Sequence, residues 1–227
     1  MFKKFFQPIR PIQGFTLVEM IGVLAIIAIL IAMLLPKIFQ LVASANARSL
    51  AAAARTYETS IVNYYADIGS LYPLNAVGTP QAEGGGQSTQ VRSLPSRLIL
   101  NSADPLNVGT GSWPRFRGPY LEKFNSANPP GLGVTMTLPS TTANNFGAAP
   151  AFNHRNFDLD GNNTNDLANA SQVAYLFIDE VTQTQFQEID GILDPGVGTN
   201  LAERRVRGRV KWQAGGGGQL RVYLANQ

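Results

Sequence analysis

The chain of 227 residues carries 18 Lys plus Arg against 15 Asp plus Glu, one His and no Cys. That length allows one globular domain plus an anchor, and the missing cysteine removes disulfides, thiolate nucleophiles and thiolate metal sites together. The formal charge of +3 is not a nucleic-acid signature, because Lys3, Lys4 and Arg10 all precede residue 15 and account for the whole excess.

From Phe15 to Leu35, 21 residues hold one charge, Glu19. As a helix rising ~1.5 Å per residue, this stretch reaches about the thickness of a bilayer core. A carboxylate inside such a span costs about 2.5–3.5 kcal/mol on insertion scales. Either Glu19 sits near the headgroups, or something compensates it. Cutting after Gly14 frees the amine of Phe15, and a neighbouring copy's Glu19 would pair with that cation inside a helical bundle at far lower cost. Basic residues before the span and few charges just after it place the N-terminus in the cytoplasm. The competing reading is an ordinary secretory signal with Ala43-Ser44-Ala45 as its cleavage site. Against it, the apolar run exceeds the ~7–15 residues of a signal core, and the Ala-Ser-Ala lies well past its end.

The string Gly14-Phe15-Thr16-Leu17-Val18-Glu19, with basic residues before it and an apolar helix after it, resembles the class III leader and N-terminal helix of the type IV pilin superfamily. Pilins, type II secretion pseudopilins and competence pseudopilins share that pattern. The resemblance implies that residues 1–14 are a leader, that prepilin peptidase cuts between Gly14 and Phe15 and methylates Phe15, and that Glu19 is the assembly carboxylate. It also implies a single-pass inner-membrane subunit that polymerises with itself and other pseudopilins, on an inner-membrane assembly platform, into a periplasmic or extracellular filament. Pro36 falls where many members carry a helix-loosening proline.

After residues 15–35, the span, residues 36–68 turn amphipathic. Leu50, Ala54, Tyr57, Ile61, Tyr64, Tyr65 and Ile68 recur at helical spacing, with Arg48, Arg55, Glu58, Asn63 and Asp67 around the rest of the wheel. Pro36 is expected to kink or loosen the helix. Gly69 and Pro73 stop it. The stretch Tyr64 to Pro73 is similar to the end of the long helix in major pseudopilins of type II secretion.

Residues 69–227 read as the globular head. Residues 74–110 are rich in Gly, Ser, Pro, Asn and Gln around Gly84-Gly85-Gly86, a variable loop with one ordered piece at Leu94 to Leu100. In Trp113-Pro114-Arg115-Phe116-Arg117-Gly118-Pro119-Tyr120-Leu121 the aromatics are expected to pin the loop onto the helix. Its Gly-Pro-Tyr-Leu is similar to a pseudopilin segment leading from loop to sheet. In Asp158-Leu159-Asp160-Gly161-Asn162-Asn163-Thr164-Asn165-Asp166, oxygen side chains at alternate positions next to a glycine suit calcium, with Asp158, Asp160, Asn162 and Asp166 as candidate ligands. The string fails the EF-hand pattern, since Asn163 stands where that loop needs Gly and Asn169 where it needs Glu. The alternative is a turn cluster whose side chains cap their own backbone.

Beyond it, Val173 to Ile178 reads as a strand, Asp194-Pro195-Gly196 as a turn, and Val206 to Trp212 as a strand with Val206, Val210 and Trp212 on one face. Gly215 to Gly218 returns the chain into Leu220 to Leu224, closing a hairpin. On its other face Arg205, Arg207, Arg209 and Lys211 are expected to point the same way, with Arg221 beside them. Such a row is a DNA track, as in a competence pilin, or a solvated or edge-protecting face, or one that pairs with a neighbour's carboxylates in a fibre. One histidine, His154, and no Gly-x-Ser-x-Gly or His-Glu-x-x-His string speak against an enzyme. The expected fold is α+β, a long N-terminal helix packed on a small C-terminal antiparallel sheet. The expected role is a filament subunit of the type II secretion branch, acting in protein export. The alternatives are a type IV pilin or a DNA-binding competence pseudopilin.

Overall fold

The computed structural model describes residues 14–75, 79–81, 93–100, 115–124, 132–133, 135–142, 158–162, 164, 166–168 and 170–227. The expectations on the cations of the leader, on Gly84-Gly85-Gly86, on Trp113 and on His154 lie outside them. The chain divides into two units at Val42/Ala43. Each is described by itself.

Helix α1 runs Leu17–Ile68, and Pro36 lies within it without ending it. In the N-terminal unit every described residue of 14–41 is exposed, including Phe15, Leu24, Ile29 and Met33. The helix contains a stretch long and apolar enough to cross a membrane. Water has no favourable interaction with so many adjacent aliphatic side chains, so this surface calls for lipid or for other helices.

In the second unit α1 buries one stripe: Ala47, Leu50, Ala54, Tyr57, Ile61 and Tyr64. Tyr65, expected on that stripe, is 36% exposed. Its neighbour Tyr64 already fills the inward position, and successive helical residues lie ~100° apart. The helix ends where Gly69 takes φ +77°, with its N–H on the Tyr65 carbonyl at 2.7 Å. Only glycine adopts that conformation at little cost.

Five antiparallel strands make a sheet four strands across. In it β1 (Met136–Thr137) and β2 (Ser140–Thr142) both pair with β3 (Gln172–Ile178), followed by β5 (Gln219–Asn226) and then β4 (Val210–Gln213) at the edge. Leu176, Ile178, Val210, Trp212, Leu220, Val222 and Leu224 form one core with the stripe of α1, so the α+β arrangement read from the sequence is the one observed. Among the described residues three shorter helices accompany it: α2 (Leu94–Ile99), α3 (Gln183–Leu193) and α4 (Leu201–Arg204).

The two helices between β3 and β4 were not expected, although α3 opens with a capping box between Thr182 and Gln185 and places Phe186 and Ile189 inward at helical spacing. Phe186 stacks on Trp212 at 5.6 Å, and the Trp212 indole N–H donates to the Val181 carbonyl at 2.8 Å. The strand expected over Val206 to Trp212 begins only at Val210. Asn200 caps a helical turn by accepting the Glu203 N–H at 3.0 Å, and Gly208 turns the chain at φ +78° before the strand starts.

Candidate functional site

The string singled out at the N-terminus folds into a capping box. The Thr16 hydroxyl accepts the Glu19 N–H at 3.3 Å, while the Glu19 Oε2 accepts the Thr16 N–H at 2.8 Å and the Thr16 hydroxyl at 2.7 Å. The first backbone bond of the helix follows from Met20 N–H to the Thr16 carbonyl, at 3.2 Å. Threonine and glutamate three residues apart satisfy each other's backbone donors in this way, and the carboxylate complements the positive end of the helix. Gly14 and Phe15 stay outside the helix, with Phe15 81% exposed. Glu19, the one charge of residues 15–35, is thus bonded within its own chain to Thr16, the residue that follows Phe15.

At the far end of α1 the aromatic strings converge on Tyr64. Its hydroxyl donates to the Tyr72 carbonyl at 2.9 Å and accepts the Leu74 N–H at 3.1 Å. Phe116 and Tyr120 meet its ring edge-on, and the Tyr120 hydroxyl donates to Asp67 at 2.7 Å. Burial pushes the Tyr120 phenol up to about 12. The Leu74 carbonyl accepts from Arg97 Nε at 2.7 Å. Aromatic pinning of the loop onto the helix is therefore observed for Phe116 and Tyr120.

Asp158, Asp160 and Asp166 bring carboxylate oxygens within 4.8 Å of one another. Asn162 does not join them as an oxygen donor. Its Oδ1 accepts the Thr164 N–H at 2.8 Å, and its Nδ2 donates to Asp160 Oδ2 at 2.8 Å. A backbone N–H can only donate, so it fixes which end of the amide faces Thr164. The Asp166 carboxylate already accepts the Leu159 N–H at 2.7 Å, and Arg207 lies 3.7 Å from Asp158. Three hard oxygens suit calcium, but six to eight are required. The remainder would come from carbonyls and water.

The basic row is not formed. The Arg205 guanidinium lies over the Trp212 ring at 4.8 Å, Arg207 faces Asp158 and Glu203, and Arg209 bonds Glu58 on α1 at 2.9 Å. Lys211 is buried near Asp158 and Asp194, and that burial pushes its ammonium down to about 8. Only Lys211 and Arg221 share a cross-strand pair. The alternation assumed for a strand fails because residues 201–209 wind through a helical turn and a glycine turn instead.

Sequence reasoning missed the buried acids Asp190 and Asp194. Asp190 holds Arg204 at 2.6 Å, and Asp194 accepts the Val210 N–H at 2.7 Å, sealing the open edge of β4. Burial raises both carboxyls, Asp194 to about 6. Nothing in the string Asp194-Pro195-Gly196 beyond a turn signal marks this role.

Residues 9–35 match the family described as Prokaryotic N-terminal methylation motif, the prepilin motif of type IV pilins and pseudopilins. The motif is a structural, pilin-type one, and it supports a pilin-like or pseudopilin subunit that is processed by prepilin peptidase and self-assembles. No curated protein and no solved structure matches the chain.

Proposed function

We propose that this chain, which carries the methylation motif over residues 9–35, is a pseudopilin of the type II secretion branch: a subunit cut after Gly14, methylated on Phe15 and polymerised to drive protein export. The observation that carries the reading is the exposed apolar start of α1, headed by the Thr16–Glu19 capping box and followed by a folded α+β unit. Before assembly the subunit is a single-pass inner-membrane protein with a cytoplasmic N-terminus.

In a fibre the Glu19 carboxylate pairs with the new amine of a neighbour's Phe15. The capping box supplies its partner until then, since a lone carboxylate in the apolar layer is expensive. The strings Tyr64 to Pro73 and Gly118 to Leu121 favour the secretion branch, and they meet physically around Tyr64 and Tyr120. The chain's length keeps a type IV pilin as the second reading. Calcium remains part of the proposal on Asp158, Asp160 and Asp166, with Asn162 set aside.

The test is the N-terminal mass of the protein from native membranes, together with the fibres formed by Glu19→Ala. A chain starting at Phe15 with one methyl, and a variant that inserts but does not polymerise, are expected. A chain starting at Asn46, or normal fibres from the variant, refutes the proposal. Loss of exoprotein release on deletion, with surface pili unaffected, assigns the secretion branch; the converse assigns the pilin.

A further inference from the structure

We propose that Asn162 is an N-glycosylation acceptor, its Nδ2 taking a glycan from a lipid-diphosphate-linked oligosaccharide outside the cytoplasm. This rests on the reading above that the head lies on that side of the membrane. The string Asn162-Asn163-Thr164 is an Asn-x-Thr acceptor sequence without proline at its centre. Such strings are common, so the case depends on how this one is held.

Both Asn162 and Thr164 are exposed, as an acceptor must be to enter a transferase. The loop is anchored from behind. A Cβ on Gly161 would stand 2.9 Å from Val197, and the Asp158 carbonyl accepts the Gly208 N–H at 2.8 Å. Asn162 is thereby presented on the outside of a supported turn.

The chemistry of the amide is also prepared. An amide nitrogen is a poor nucleophile because its lone pair is shared with the carbonyl. Here the Asn162 Oδ1 accepts from both the N–H and the hydroxyl of Thr164, which draws electrons to oxygen and makes the Nδ2 hydrogens more acidic. On the other side Asp160 Oδ2 accepts an Nδ2–H at 2.8 Å, returning electron density to nitrogen. In the transfer the bond from Nδ2 to the sugar C1 forms. The bond from C1 to the phosphate oxygen breaks, and the lipid diphosphate leaves with the electron pair. One Nδ2 proton passes to a general base of the transferase, so atoms and charge balance. The hydrogen bonds to Thr164 and Asp160 account for Asn162 not facing the carboxylates as an oxygen ligand.

A second string, Asn169-Ala170-Ser171, gives an internal comparison; Asn169 lies outside the described residues. The experiment is intact and fragment-ion mass spectrometry of the full chain purified from membranes of its native host, with Asn162→Gln, Thr164→Ala and Thr164→Ser beside it. The expected result is a sugar-sized increment on Asn162 that is lost in Asn162→Gln and Thr164→Ala and kept in Thr164→Ser. An unmodified Asn162 in a chain that begins at Phe15 overturns this inference and leaves the filament reading standing. An increment on Asn169 alone also overturns it. An unprocessed chain without any increment overturns both.

Discussion

Replacing Tyr64 with Phe removes one oxygen from a fully buried ring and leaves the edge-on packing of Phe116 and Tyr120 in place. That oxygen serves two backbone groups of the turn after α1, accepting the Leu74 N–H at 3.1 Å and donating to the Tyr72 carbonyl at 2.9 Å. Leu74 is buried and Tyr72 half-buried, so water replaces the second bond more readily than the first. A buried group left without its partner costs about 1–3 kcal/mol, and the two together come to roughly 2–4 kcal/mol. For a protein of this size each kcal/mol moves Tm by about 2–4 °C, so the variant should melt roughly 4–16 °C lower. The assay is thermal unfolding of the detergent-solubilised full chain by circular dichroism. Tyr65→Phe, at a side chain 36% exposed, is the control and should move Tm by less than about 2 °C. Equal shifts for the two variants would refute the view that Tyr64 locks the end of α1 to the head.

Three further outcomes follow from the site. Asp194 is raised from 3.8 to about 6 in the folded chain, so the folded state binds more protons than the unfolded one between those values, and stability should fall as pH rises through that window. Asp194→Asn, which can still accept the Val210 N–H, should flatten that limb in pH-dependent denaturant melts; an unchanged slope rules the assignment out. Lys211 works in the opposite sense. It is lowered from 10.5 to about 8, and stability should rise with pH between the two, a rise that Lys211→Met removes. Calcium should raise Tm for the wild type and not for Asp160→Asn, by mass action on the folded state alone. Identical curves with calcium and with chelator would leave the three carboxylates a turn cluster only.

The resemblance in the strings Tyr64 to Pro73 and Gly118 to Leu121 acquires a physical meaning from the structure. Tyr64, Tyr120 and Asp67 are the parts of one clasp that fixes where the long helix stops and where the loop returns. The serine and glutamine that continue it are far apart in sequence. Gln172, at the start of β3, accepts from Ser70 and from the Leu71 N–H, both at 2.9 Å. No local pattern could have joined those residues.

What the sequence determined by itself is what neighbouring residues decide among themselves. The apolar segment from Phe15 to Leu35, the stripe at Leu50, Ala54, Tyr57, Ile61 and Tyr64, the glycine stop and the Gly215 to Gly218 return all rest on periodicity, length and turn chemistry within a few residues. The capping box at Thr182 and Gln185 was equally legible and shows that a local signal can be overlooked. The fate of Arg205, Arg207, Arg209 and Lys211 was decided by tertiary structure alone. An alternating string is a strand only where another strand pairs with it. Here Asp194, 16 positions before Val210, takes the backbone N–H that opens β4, and the preceding residues are drawn into a turn. Each cation then meets the partner that folding brings to it: the Trp212 ring, Asp158, Glu58, or the buried pair Asp158 and Asp194. Charge is strongly penalised by burial unless it is paired, and pairing depends on residues that only the folded chain places together.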